Sequence, residues 1–205
     1  MKNELKLQNL LNRISENGDE VAFKDLFDLF SDGLYRFAFS ILKNKQLAEE
    51  TVSDVFFSIW MRRRSISKIE NFKPYIFTSA RNAALNYIAK EKRNNMVWIE
   101  DVKVPLLMED ISPESELITS ELRDAIAQAI DNLPERCKLI YSLAKIEQLK
   151  YKEIASILGI SVKTIDHQLT IAIKKIGTEI ENYLRDEGEP SGVSLILCLF
   201  VPNRK

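Results

Sequence analysis

Apolar residues recur at helical intervals through most of the chain. Phe23, Leu26, Phe27, Phe30, Leu34, Phe37, Ala38 and Ile41 follow an i, i+3, i+4, i+7 pattern, so one stripe of an amphipathic helix faces a core. Gly33 falls inside that stripe and marks a point where the helix can break. A second stripe, Ala48, Val52, Val55, Phe56, Ile59 and Trp60, keeps the period and runs into Arg62, Arg63 and Arg64, cations that suit a helix C-terminus. A third begins near Pro74, a residue tolerated in a first turn. It carries Ile76, Phe77, Ala80, Ala84, Tyr87 and Ile88 on one side and Thr78, Arg81, Asn82 and Asn86 on the other. Helices this rich in aromatic residues can close a small core, which places a first domain at residues 15–93.

The period lapses in residues 94–121, an acidic stretch with Pro105 and Pro113 that reads as a linker. It resumes at Ile126 and Ile130, stops at Asn132-Leu133-Pro134, and restarts with Cys137, Ile140, Tyr141 and Ala144, with Pro134 suited to the first turn. From Tyr151 to Ile176 the pattern is that of a helix-turn-helix. Ile154, Ala155 and Leu158 point inward on a short helix, Gly159 breaks it, and Ser161 caps a second helix bearing Ile165, Leu169, Ala172 and Ile176. A second domain therefore spans residues 122–185. No alternation long enough for a strand precedes the tail, residues 186–205, whose segment Val193 to Val201 is apolar and β-prone. That segment needs a cover, and the protein's own helices, a partner and a second copy all remain open. The expected fold class is all-α, two small helical domains joined by an acidic linker.

Composition removes several function classes. The two cysteines, Cys137 and Cys198, form no CxxC pair, and His167 is the single histidine, so zinc fingers and disulfide scaffolds are excluded. Lys2, Glu4, Lys6 and Arg13 interrupt the leucines of the first turns, leaving no apolar core of signal-peptide length. Val193 to Val201 is far too short to span a bilayer, so a cytoplasmic protein without membrane insertion is expected. There is no Gly-rich phosphate loop and no convergent acid–base pair, so no enzyme and no cofactor are expected. Glu50 and Asp54 do stand at helical spacing, but exposed acidic pairs are ordinarily just solvated.

The near balance of 29 Lys+Arg against 30 Asp+Glu hides a segregation. Phe57 to Asn95 holds nine bases against two acids, net +7, with Phe57, Trp60, Phe72 and Phe77 among them. Met96 to Glu121 holds one base against seven acids, net -6. A basic block with interleaved rings fits a polyanion, because phosphate neutralisation releases counterions and rings stack on bases. On the second helix of the helix-turn-helix, Lys163, Thr164, His167, Gln168 and Lys175 form an outward polar face of types that reach base edges and phosphates in a major groove. A plain helical hairpin would need none of these. A conventional helix-turn-helix regulator with an N-terminal sensing or dimerisation domain would use that face but leave the basic block without a role.

The residues also carry a resemblance. Leu133-Pro134-Glu135-Arg136, Tyr151-Lys152-Glu153-Ile154-Ala155 and the run Leu158 to Ile165 resemble region 4 of sigma-70 family factors of the extracytoplasmic function (ECF) group. Ala48-Glu49-Glu50, Val52, Asp54-Val55-Phe56 and Trp60, then Pro74-Tyr75-Ile76-Phe77 and Ala80-Arg81-Asn82, resemble region 2 of the same group. The two motifs stand in family order and cover most of residues 20–180.

The resemblance implies a sigma factor that binds core RNA polymerase and promoter DNA, with an anti-sigma factor as a further partner. It implies that Glu49, Glu50, Asp54 and Phe56 lie on the polymerase-binding helix. Arg63, Arg64, Lys73, Arg81, Asn82 and Asn86 would serve the melted -10 element, Asn82 matching the position that helps hold a flipped base. Ser161, Lys163, Thr164, His167, Gln168 and Lys175 would serve the -35 element. In such factors the acidic linker passes through the polymerase cleft; a merely solvated linker fits this stretch as well. Two departures stand out. Ser53 and Asp54 replace the more usual Gln and Glu, and Asp166, Gln168, Ile171 and Ile173 stand where relatives often carry Arg. With fewer cations the second domain alone is expected to bind DNA poorly, although Lys174 and Lys175 remain.

Overall fold

The computed structural model describes residues 2–94 and 120–186, and every regular element among them is helical. They divide between two units, Met1–Lys103 and Val104–Lys205. In the first, α1 (Lys2–Asn17), α2 (Glu20–Leu42), α3 (Lys45–Met61), the short α4 (Arg63–Ile66) and α5 (Phe72–Asn94) follow one another. Capping fixes the boundaries. The Asp19 carboxylate accepts the Ala22 N–H at 3.0 Å and a bond from Arg13 Nη2 at 2.7 Å, and these two donors hold its pKa below the usual carboxylate value. Lys43, in the left-handed region at φ 53°, ends α2, and Asn44 Oδ1 accepts the Leu47 N–H to start α3.

α2 runs unbroken through Gly33, because packing against α3 and α5 along its length outweighs one residue's low propensity. Leu26, Leu34, Phe37 and Ala38 meet Ala48, Val52, Val55 and Ile59 of α3 and Ile76, Phe77, Ala80 and Ala84 of α5, all buried. Phe37 and Phe77 meet edge to face with centroids 5.4 Å apart. The folded unit also begins earlier than residue 15. α1 buries Leu10, Leu11 and Ile14 and packs on α2 and α4, with Gly18 at φ 63° turning the chain between α1 and α2.

The second unit comprises α6 (Ser120–Asp131), α7 (Glu135–Tyr141) continued by a π-helical turn at Ser142–Ile146, α8 (Tyr151–Leu158) and α9 (Val162–Asp186). α9 is the hub, packed by α6, α7 and α8. Its Ile165, Leu169, Ala172, Ile176 and Ile180 are buried, as are Ile126, Ile130, Ile140, Ile154 and Ile157 around it. Pro134 stands just before α7 rather than in its first turn. Gly159, at φ 67°, ends α8 with its N–H on Ala155 O, and Ser161 Oγ accepts the Thr164 N–H at 3.0 Å to open α9. α6 starts at Ser120, slightly before the expected boundary. The acidic linker up to residue 119 and the apolar tail from 187 lie outside the described residues. No helix among the described residues is long and apolar enough to cross a membrane.

Candidate functional site

α3 presents the first face. Its inward stripe packs into the core, and Glu49, Ser53, Asp54, Phe57, Ser58 and Met61 are exposed on the other side, with Glu50 half-buried. Asp54 Oδ2 accepts a hydrogen bond of 2.8 Å from the Tyr87 hydroxyl on α5. Burial first, then the Asp54 and Glu50 carboxylates, push the Tyr87 phenol well above its usual pKa. Burial and the Glu49 charge raise the Tyr35 phenol in the same direction.

Phe56 does not belong to this face. It is 3 % exposed, with its ring 4.7 Å from Phe27 and 6.0 Å from Phe23 by centroids, so it is a core residue. The exposed aromatic is its neighbour Phe57, 68 % exposed, with Met61 one turn on at 63 %. Asp54, Phe57 and Met61 are spaced i, i+3 and i+7, which places two bare apolar side chains beside a carboxylate. Of the phenylalanine rings interleaved in the basic block, Phe57 alone is exposed, while Phe72 and Phe77 are buried in the core and cannot stack on bases. Phe57 falls one position out of the inward stripe, and that phase was the available signal.

The basic block divides between elements. Arg63 Nη1 donates to Trp60 O at 3.0 Å and its guanidinium lies 4.7 Å from the centroid of the Trp60 ring, so it closes the end of α3. This binds Arg63 into the α3–α4 corner rather than leaving it as a free phosphate ligand. Arg64 is exposed on α4, which packs on α1 and α3. Lys73, half-buried, sits 5.9 Å from the Phe30 centroid. On α5, Arg81 is half-buried while Thr78, Asn82 and Asn86 are exposed one turn apart, opposite the buried Ala80 and Ala84. α5 therefore offers a strip of side-chain amides.

α9 presents the third face. Lys163, His167, Thr170 and Lys174 are exposed at intervals of 4, 3 and 4, a continuous outward stripe. Ser161 and Thr164 spend part of their bonding capacity on each other, their hydroxyls 2.8 Å apart at the cap. Gln168 turns out to lie towards α7 and not on the outward stripe. Its Oε1 accepts the Cys137 thiol at 2.9 Å, and burial raises that thiol's pKa while the charge of Lys175 opposes the shift. Lys175 is exposed beside the stripe, on the α7 side. Among the described residues no group of His, Cys, Asp or Glu could hold a metal ion.

Comparison with known proteins matches these units in order. The sigma-70 region 2 family covers residues 26–94 and the sigma-70 region 4 family covers residues 123–176. The chain is 24 % identical over 169 residues to the ECF RNA polymerase sigma factor SigW of Bacillus subtilis, spanning 79 % of this chain and 90 % of the relative. It is 26 % identical over 188 residues to the ECF RNA polymerase sigma-E factor of Haemophilus influenzae, spanning 88 % of this chain and 98 % of that one. In fold it resembles the sigma factor RpoE of Bartonella quintana, solved in complex with the anti-sigma factor NepR, with a TM-score of 0.52 and 22 % identity over 78 % of this chain and 96 % of that chain. Two helical units with these faces define a sigma-70 family protein, and the chain belongs to that family. Within it the chain is a sigma factor of the ECF group.

Proposed function

We propose that this chain docks on core RNA polymerase through α3, helps melt the promoter -10 element with α5, and reads the -35 element with α9. The observation that carries the reading is the pair of sigma-70 region matches, each falling on a helical unit with a distinct exposed polar face. On α3, Glu49, Glu50 and Asp54 provide charge for a basic partner surface, and Phe57 and Met61 provide apolar anchors, the combination expected of an energetic interface centre. Phe56 supports the helix from inside.

On α5, Asn82 and Asn86 offer amides that can both donate to and accept from the edge of an extruded base. Arg64, Lys73 and Arg81 supply positive charge for the unpaired strand, while Arg63 fixes the corner from which Arg64 projects. On α9, Lys163 and His167 stand at the N-terminal end of the recognition helix, where base edges are reached, and Lys174 and Lys175 follow the backbone. Gln168 holds α9 to α7. The acidic segment 94–121 carries the charge sign suited to a channel built for nucleic acid. An anti-sigma factor would act by covering these faces, in the cytoplasm where polymerase works. A conventional regulator is disfavoured because it gives the region 2 unit no task.

The test is run-off transcription on sheared genomic DNA by purified core polymerase, with and without this protein. New starts sharing paired upstream elements are expected. Duplex binding by the chain alone without new starts would overturn the reading.

A further inference from the structure

The hydroxyl of Tyr87 is aimed at the docking helix. α3 and α5 pack along one another, and Tyr87 stands on the α3 side of α5, roughly opposite the strip of Asn82 and Thr78. Its single hydroxyl proton goes to Asp54 Oδ2 at 2.8 Å. Glu50, one turn before Asp54, lies close enough to act on the same phenol. Glu50 is half-buried and already accepts a bond of 3.1 Å from Gln46 Nε2, whereas Asp54 is exposed and without a partner would sample several rotamers. A neutral donor fixes the Asp54 carboxylate without bringing the compensating positive charge that a lysine or arginine in its place would bring. An ionised carboxylate has about four lone-pair sites, so Asp54 can hold the Tyr87 bond and still accept from a cationic partner.

We propose that Tyr87 is a positioning residue for polymerase docking, holding Asp54 in the orientation that a basic group on core polymerase engages. The inference rests on the docking role given to α3 above. Preorganisation of this kind raises affinity by removing ordering cost rather than by adding a contact to the partner.

The experiment measures core polymerase affinity of the full chain for wild type, Tyr87→Phe, Asp54→Ala and the double variant, with thermal unfolding of each. Tyr87→Phe keeps the ring and its packing. It is expected to weaken core binding about 3- to 10-fold, the scale of ordering one side chain on docking, with a thermal midpoint within about 4 °C of wild type because the bond lost is an exposed one. In the Asp54→Ala background the same change is expected to have no further effect. The proposal is overturned if Tyr87→Phe binds like wild type, if its loss persists undiminished without Asp54, or if the loss merely follows a fall in stability. Failure of the wild-type chain to bind core at all would remove the docking reading itself. That outcome is read in the first titration, before any variant is compared.

Discussion

Ser161 and Lys163 lie two positions apart on one exposed turn and are expected to fail in different ways. The Ser161 hydroxyl accepts the Thr164 N–H and bonds the Thr164 hydroxyl, so its first duty is to cap α9. Ser161→Ala should therefore cost about 1 kcal/mol of stability, read by denaturant unfolding, whether or not DNA is present. Lys163 is exposed. Lys163→Ala should leave unfolding unchanged and weaken promoter selection by holoenzyme by about 1 to 3 kcal/mol if the side chain reads a base. Asn82 separates functions in the same manner. It is exposed on α5, on a different helix from the carboxylates of α3. Asn82→Ala is expected to impair open-complex formation, followed by permanganate reactivity of unpaired thymines, while core binding measured by titration stays at the wild-type level. Loss of core binding in that variant would mean that the two faces are not divided as argued.

At the scale of the element, α3 turns a one-residue phase difference into two roles. Phe56 is buried among Phe23 and Phe27, whereas Phe57 beside it is exposed. Phe56→Ala should lower stability by about 3 to 5 kcal/mol through the cavity it leaves. Phe57→Ala should leave stability within about 0.5 kcal/mol and weaken core binding instead, a contrast that unfolding and polymerase titration read side by side. The sequence contained this distinction: the stripe Ala48, Val52, Val55, Phe56 and Ile59 that predicts the helix already turns Phe56 inward, and only the resemblance to region 2 suggested it as a contact. Strong periodicity made α2, α3, α5, α8 and α9 legible, along with the Gly159 stop and the Ser161 cap. α1 was legible as well, since Leu7, Leu10, Leu11 and Ile14 hold the i, i+3, i+4, i+7 spacing and the last three are buried, although the expected domain boundary at residue 15 left it out. The π-helical turn at Ser142–Ile146 could not be read, since apolar spacing does not separate it from an α-helical turn. Arg63 and Gln168 have partners on Trp60 and Cys137, and only coordinates show that such polar side chains are already engaged.

For the whole molecule, charge decides whether the free chain finds DNA unaided. The formal net charge is -1, so long-range attraction to a polyanion is nearly absent and binding must come from local faces. On α9 the exposed cations Lys163, Lys174 and Lys175 are accompanied by Asp166, half-buried on the same helix, which subtracts from their charge. About three phosphate contacts would give a salt slope near -3 on a log–log plot, and affinity at physiological salt close to the nonspecific range. The free chain is therefore expected to bind a promoter duplex no better than an unrelated duplex of equal length, with discrimination emerging only in holoenzyme. There, polymerase holds both units on one DNA and raises the effective concentration of each weak contact. Titrating labelled promoter and control duplexes with the chain, and then with holoenzyme, over a series of salt concentrations reads both quantities. A free chain that selects its promoter with high affinity would place the specificity in α9 alone and return the protein to the company of autonomous regulators.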